Sequence, residues 1–459
     1  MDASFQTGQP KKQKLSGEKE EGGSMSLSKL PDVLIEQIIS FLPTKDAIRT
    51  SILSKRWEYL WTSLPELKFI QGRNETRCSF VTAVDRALIL RGPADLKQFL
   101  LLFRGLEQLD DASRVNRWIT AMLRRNVEEL ILRLSNSKEL SLPRSLFTSA
   151  TLTYLDIIVP CIFKVPSTVC LSSLRMLRLQ CVVFSDDCST QQLFSGCPVL
   201  EDLILGECSW GNCKFVSICA PKLLRLEIDE DIDFYPKGSD GCQIMIFGVS
   251  LTNFYYSGEF RNHYCFNNSS VDKARIFHFS DEKSRHMSYG FNKLLGGLSS
   301  VKKLAINSDS LEVIQIHATE LLTQMPLLNH LTTLKLEAEE VVPCSKALLR
   351  MLGICPYLQT LIFFQEINLS SDDANNDGVL EPLPPCFLTS LKQIEVREFY
   401  GDENNLCAIK ILLKNAMVLE TMILTCMHNF VGGSEKKKDV NKQLSDLPKG
   451  SESCEVVLV

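Results

Sequence analysis

Cysteine and histidine are the side chains of this sequence best suited to chemistry, and their spacing limits what they can do. The 459 residues include seventeen cysteines and six histidines. A thiolate metal centre needs paired ligands such as C-x-x-C, and no such pair occurs. The cysteines stand singly, mostly beside apolar residues, as at Cys181, Cys197, Cys208, Cys355 and Cys426. They are expected to be reduced and to act as small buried side chains. His263 and Cys265 lie close together, yet no second pair stands at zinc-finger spacing. A nucleophilic cysteine needs a polar, positive setting that lowers its pKa, which these apolar contexts do not offer. There is no phosphate-binding glycine loop, no H-E-x-x-H and no nucleophile elbow. The chain is therefore expected not to be an enzyme, with no catalytic residue, cofactor or metal site.

Composition points the same way. At 45% hydrophobic and 23% charged residues the chain has the make-up of a folded protein with room for several units. A net charge of −5 gives no overall basic field for nucleic acid. No run approaches the eighteen apolar residues of a membrane span, and the polar first residues do not read as a secretory signal. Residues 1–24 have almost nothing to bury and are expected to be a disordered tail, in which Pro10-Lys11-Lys12-Gln13-Lys14 reads as a solvated charged run or a weak nuclear-import signal.

The elements that could position a binding surface begin near Leu30. Pro31 suits the first turn of a helix, and Val33, Leu34, Ile38, Ile39 and Leu42 recur at three- and four-residue spacing. Pro43 ends that helix. Thr44 can cap a second, carrying Ala47, Ile48, Ser51 and Ile52, and Ser54 a third, carrying Trp57, Leu60 and Trp61. About forty residues are too few for a self-sufficient core, so a partner is expected to complete the burial.

The opening Leu30-Pro31-Asp32, the hinge Phe41-Leu42-Pro43-Thr44-Lys45 and the run Leu53-Ser54-Lys55-Arg56-Trp57 with Leu60-Trp61 resemble the F-box of plant-type F-box proteins, with a match from Leu30 to Phe69. The resemblance implies docking to a Skp-type adaptor hung from a cullin scaffold in a ubiquitin-ligase complex. By the same resemblance Leu30, Pro31, Ile38, Leu42, Pro43, Ile48 and Leu53 contribute to the adaptor contact. Trp57 and Trp61 lock the third helix and the join to the next domain.

From Val127 one pattern recurs: apolar residues at i, i+3 and i+5 with mostly polar or variable residues between. It appears in VEELIL (127), LTYLDI (152), LRMLRL (174), LEDLIL (200), LLRLEI (223) and LTNFYY (251), then in VDKARI (271), VKKLAI (301), LTTLKL (331), LQTLIF (358), LKQIEV (391) and LETMIL (419). The spacing fits an irregular leucine-rich repeat, whose units bury one face each and must stack. Cys197-Pro198 and Cys355-Pro356 precede their strands at the same offset. Side chains at i+2, i+4 and i+6 are expected to line the concave wall and to meet a target protein: Arg133, Tyr154, Asp156, Met176, Arg178, Asp202, Arg225, Glu227, Tyr255, Arg275, Phe277 and Lys335, with Asp229, Lys273 and Glu337 beside them. Mixed charges and aromatics suit a protein surface rather than a nucleic acid. Lys273, Arg275, Lys302 and Lys303 are too few and too spread for the polyphosphate site of a small-molecule receptor.

Phe80 to Arg125 is expected to pack a connecting segment onto the first repeat, through Val81, Val84, Leu88 and Phe99 to Phe103, with a helix beginning near Val115. Near the other end, Pro384-Pro385-Cys386-Phe387-Leu388, Ser390-Leu391-Lys392, Phe399-Tyr400-Gly401 and a helix with Leu406, Ile409, Leu412, Leu413 and Ala416 on one face resemble the FBD unit, although Asn404-Asn405 stands where that family has an acidic residue.

The expected fold class is thus α/β: an N-terminal three-helix F-box, then a leucine-rich-repeat solenoid with parallel strands on its concave face, capped by an FBD unit. The expected boundaries are 1–24 disordered tail, 25–70 F-box, 71–126 connecting segment, 127–380 repeats, 381–430 FBD and 431–459 flexible tail, with Ser370 to Asn376 a mobile loop. The resemblance implies the substrate-recognition subunit of a Skp–cullin–F-box ubiquitin ligase, acting in the nucleus and/or cytoplasm with the Skp-type adaptor, the cullin and an unknown target as partners, and with neither nucleic acid nor membrane. A protein-interaction scaffold that promotes no degradation needs the same F-box and is the alternative.

Overall fold

The computed structural model describes residues 30–104, 109–135, 141–211, 213–230, 241–267, 270–279, 285–316, 325–337, 345–365, 369, 379–426 and 433–459. The tail 1–24 and the loop Ser370–Asn376 lie outside the described residues. The chain divides after Leu64 into two compact units.

In the first unit, helix α1 (Asp32–Ser40) starts behind Pro31 with Asp32 in its first turn, where a carboxylate favours the helix dipole. Helix α2 (Thr44–Arg49) starts behind Pro43. Thr44 does not cap it: Pro43 holds the cap position, and Thr44 is a buried first helical residue. The third helix expected from Ser54 is also corrected. Its residues form turns between two 3-10 segments, Thr50–Ile52 and Leu60–Ser63. Tertiary hydrogen bonds hold this tighter path. Ser51 Oγ donates to the Glu58 carbonyl at 3.0 Å, and Arg56 reaches Asp32 at 2.6 Å and the Leu30 carbonyl. Ile35, Ile39, Ala47, Trp57, Trp61 and Leu64 are buried.

The second unit is built on a fifteen-stranded parallel sheet. It opens with β1 (Glu66–Ile70), β2 (Gln98–Phe103), β3 (Glu129–Leu134), β4 (Tyr154–Phe163), β5 (Met176–Phe184) and β6 (Asp202–Gly206). Strands β7 (Phe215–Cys219), β9 (Gln243–Phe247) and β11 (His263–Asn267) leave it and pair as a separate parallel sheet. The main sheet continues through β8 (Arg225–Asp229), β10 (Asn253–Ser257), β12 (Lys273–Phe277), β13 (Lys303–Asn307) and β14 (Thr333–Glu337). It ends with β15 (Thr360–Phe363), β16 (Gln393–Phe399), β17 (Thr421–Cys426) and β18 (Glu455–Leu458).

All twelve repeat copies read from the sequence are strands of this sheet, in register. Leu155 sits opposite Leu177, Leu177 opposite Leu203, and Leu203 opposite Leu226. These i+3 residues and the i+5 residues are buried, as are the leading residues Leu152, Leu174, Leu200 and Leu223. Such aligned ladders place apolar side chains in contact from strand to strand, each worth about 1.5–3 kcal/mol when fully buried. The two cysteine-proline units are equivalent in detail. Cys197 and Cys355 are buried, and each thiol lies against the carbonyl four residues earlier, at 3.3 Å and 3.1 Å.

Residues 65–70 and 71–126, expected to close the first module and to connect it to the repeats, also carry the repeat template: Leu64/Leu67/Phe69 and Leu96/Phe99/Leu101 obey it, and β1 and β2 join the main sheet. Helices α3 (Arg77–Leu90) and α4 (Leu109–Leu123) come after these strands, and Arg77 clamps the buried Asp111 between them. At the other end, the FBD strands β16 and β17 extend the same sheet, flanking a helix (Glu403–Asn415) that Asp402 caps by accepting from Asn405 N at 2.8 Å. The expected flexible tail beyond residue 431 is corrected too. Gly433–Ser445 is helical, anchored by buried Val440 and Leu444, and β18 pairs with β17.

Candidate protein-interaction surfaces

In α1, neighbouring residues point about 100° apart, so two apolar stripes one residue out of phase face different ways. Ile35 and Ile39 point inward, while Val33, Leu34 and Ile38 point outward. Val33 is 73% exposed, Phe41 81% and Ile52 88%, with Leu42, Leu53 and Tyr59 also exposed. Of the residues expected at an adaptor contact, Pro31, Ile38, Leu42, Pro43 and Leu53 are exposed, and Leu30 and Ile48 are half-buried. Sequence reasoning missed Val33, Leu34, Phe41 and Ile52. The signal was that α1 carries more apolar residues than one face can hold. An outward apolar set on so small a unit is the signature of a protein-binding surface.

The second surface is the open face of the main sheet. The expected concave-wall residues occupy its outward positions in register: Asp156 opposite Arg178, Asp202 opposite Arg225, Glu227 opposite Tyr255, Tyr255 opposite Arg275. Arg133 and Arg275 are exposed, and Tyr154, Met176, Arg178, Asp202, Arg225, Glu227, Tyr255, Phe277 and Lys335 are half-buried. Asp156 departs from expectation, being only 1% exposed. Burial raises its pKa against the pull of Arg178 and Arg133, the latter 3.7 Å away, so it is a buried part of the wall rather than a contact. Several cations are already engaged. Arg225 lies over Tyr255 (5.1 Å) and bonds Glu227 (2.7 Å), and Arg275 lies over Phe277 (4.2 Å) and bonds Glu337 (2.7 Å).

Where the chain turns out of the strands, sequence reasoning also missed a polar column at i+7: Cys181, Glu207, Glu230, Gly258 and His278. Cys181 Sγ donates to Glu207 at 3.4 Å, and both residues have left-handed φ, 60° and 52°. Glu230 is buried and accepts from Tyr256 Oη (2.6 Å), Asn262 Nδ2 (2.7 Å) and Tyr264 Oη. Burial pushes its carboxyl up, against those three donors. Gly258 has a φ of 149°, and a Cβ there would meet the Glu230 Cβ at 2.6 Å. Its carbonyl faces His278 Nδ1 at 2.9 Å, so that nitrogen carries the proton. Through Asn262 and Tyr264, Glu230 ties the second sheet to the main one.

The thiols are poor candidates for chemistry. Burial pushes Cys213 up to about 11 and Cys197 and Cys242 up to about 12, so they stay protonated at neutral pH. Every described cysteine is a free thiol. Among the described residues there is no grouping of three or more metal-ligating side chains, and no helix is long and apolar enough to cross a membrane.

Comparison with known proteins gives this architecture a family. An F-box domain model matches residues 27–69, a model of the leucine-rich repeats of FBD-associated F-box protein At5g56370 matches 115–232, and an FBD model matches 381–424. FBD-associated F-box protein At4g10400 of Arabidopsis thaliana is 31% identical over 86% of this chain and 91% of its own length. F-box/LRR-repeat protein At3g59190 of the same plant is 31% identical over 76% and 95% respectively, and F-box/FBD/LRR-repeat protein At5g56420 is 29% identical over 94% and 98%. A helical module with unburied apolar residues, a parallel repeat sheet and an FBD strand–helix–strand unit follow in that order along this chain, relatives match it over nearly their whole length, and the chain belongs to the plant F-box/leucine-rich-repeat/FBD family, a class of non-catalytic proteins.

Proposed function

We propose that the chain is the substrate receptor of a Skp–cullin–F-box ubiquitin ligase. The first unit docks the Skp-type adaptor, which links it to the cullin, and the open face of the repeat sheet holds a target protein. The chain makes no bond itself. It raises the effective concentration of target lysines near the ubiquitin donor. The observation that carries this reading is the set of apolar side chains left in solvent on the first unit, headed by Val33, Phe41, Ile52 and Leu53. On this reading the complex works in the nucleus and/or the cytoplasm.

Co-purification with the adaptor tests it. Ile52→Ala/Leu53→Ala removes two side chains that are 88% and 62% exposed, so the melting temperature should hold while adaptor affinity falls. Burying each side chain is worth about 1.5–3 kcal/mol, of which truncation to Ala forfeits a large share, so the double variant should bind roughly 30-fold or more weakly. Wild-type protein that fails to bind, or a double variant that binds as well, would refute the proposal.

A further inference from the structure

The open face of the sheet is divided along its length. On its first strands the outward positions include Leu100, Leu102, Ile131 and Ile158, all half-buried. From β12 to β16 they carry five cations, Lys273, Arg275, Lys303, Lys335 and Arg397, against two carboxylates, Glu337 and Glu395. This excess of positive charge sits on a chain whose net charge is −5. Arg275 and Arg397 are held by Glu337 and Glu395 at 2.7 Å and 2.9 Å, and over the Phe277 and Phe364 rings. Both carboxylates are therefore already taken. Lys273 and Lys303 are exposed and stand directly opposite each other in the β12–β13 register. Like charges opposed across a parallel pair lower stability, and among the described residues neither forms an ion pair. Their neighbour Lys302, by contrast, pairs with Asp272 at 2.6 Å.

We propose that β12–β14 is an anchoring site for an acidic peptide segment of the target, with Lys273, Lys303 and Lys335 receiving carboxylates and the half-buried Tyr255 and Phe277 packing on its stems. This rests on the reading of the open face as the target-binding surface and supplies the chemistry of what binds there. Among the described residues the cations of this stretch without a carboxylate partner are the lysines, spread over three strands, of which Lys335 also lies 5.9 Å over the Phe364 ring. Phosphate recognition favours arginine forks converging on one point, and the arginines here are committed to Glu337 and Glu395. A string of separate carboxylates fits separate ammonium groups better. A bound acidic segment would also relieve the Lys273–Lys303 repulsion, so its affinity should fall with salt.

The test uses the full chain, co-purified with the adaptor, on an array of 12-residue peptides whose net charge runs from −6 to +6. Matched phosphoserine peptides and a single-stranded RNA serve as competitors. Binding should rise with negative charge, weaken at least fivefold between 50 and 300 mM salt, and fall at least tenfold in Lys273→Glu/Lys303→Glu. Lys410→Glu, an exposed charge reversal on the helix Glu403–Asn415 and off the open face, should leave it unchanged. Retention of no peptide, charge-independent retention, an unaffected double variant of unchanged melting temperature, or preference for phosphopeptide or RNA over the carboxylate peptides would each overturn the proposal. Adaptor binding by Lys273→Glu/Lys303→Glu is read separately. Its persistence alongside lost peptide discrimination separates failure here from failure of the receptor reading.

Discussion

Replacing Glu230 should cost more than any other single polar change in the repeat unit, because one carboxylate serves three buried donors. Glu230→Ala leaves Tyr256 Oη, Tyr264 Oη and Asn262 Nδ2 facing a vacated site. An unmet buried donor costs about 1–3 kcal/mol, so three set an upper range of about 3–9. Two effects reduce it. Removing a carboxyl that burial already penalises recovers part of its desolvation, and the vacated space, lined by three donors, can admit a water. A net loss of about 3–5 kcal/mol results. Glu230→Gln keeps an acceptor for two donors and mismatches one, for about 1–1.5 kcal/mol. The pH dependence has a definite sign. The folded carboxyl titrates above its ordinary 4.5, so its contribution is fully present below that value and is lost as pH rises through the folded pKa. The stability of Glu230→Gln relative to wild type should therefore improve as pH is raised from 4.5 towards neutrality. Urea unfolding monitored by circular dichroism, with amide exchange over Tyr256–Tyr264 to catch local opening, measures both effects. A Glu230→Ala protein within 0.5 kcal/mol of wild type, or a Gln variant weaker than the Ala variant, would show that the network does not hold the second sheet.

Two further outcomes concern the same unit. Arg77→Ala should destabilise the α3–α4 pair by about 2–3 kcal/mol, read as a lowered urea midpoint, because it strips the guanidinium from a fully buried Asp111; an unchanged midpoint would mean the carboxylate's other contacts suffice. In native protein at pH 8 a thiol reagent should modify the exposed Cys78, Cys170 and Cys188 quickly, and Cys197, Cys208, Cys355 and Cys386 only on unfolding, as mass mapping would report; rapid native labelling of Cys355 would contradict its burial.

The repeat strands were legible because one rule, apolar at i, i+3 and i+5, serves both local pleat and neighbour stacking. The same rule was present at Leu64 and Leu96, but the F-box motif claimed the first and the run Phe99-Leu100-Leu101-Leu102-Phe103 hid the second among apolar neighbours. Strands β7, β9 and β11 were not legible, since they lie between template copies and their pairing is fixed by tertiary contacts such as those of Glu230. The charged run Glu435–Asp439 masked a helix whose burial rests on Val440 and Leu444. On the first unit, helical spacing found the apolar residues but not which of two stripes was free. On the open face the pattern named the outward positions, while the burial of Asp156 depends on Arg133 and Arg178 arriving from the adjacent strands.

The uninterrupted parallel sheet also acts as a ruler. Strands lie about 4.8 Å apart, and six strand-to-strand steps separate β3 from β12, or about 29 Å along the sheet. An extended peptide advances about 3.3 Å per residue, so roughly nine residues of a bound segment would separate a contact at the half-buried Ile131 of β3 from one at the lysines of β12 and β13. Deleting one repeat would shorten that distance by a single strand spacing and shift the preferred separation by one to two residues. Selectivity could thus be written in the count of strands, with no change to any side chain on the wall.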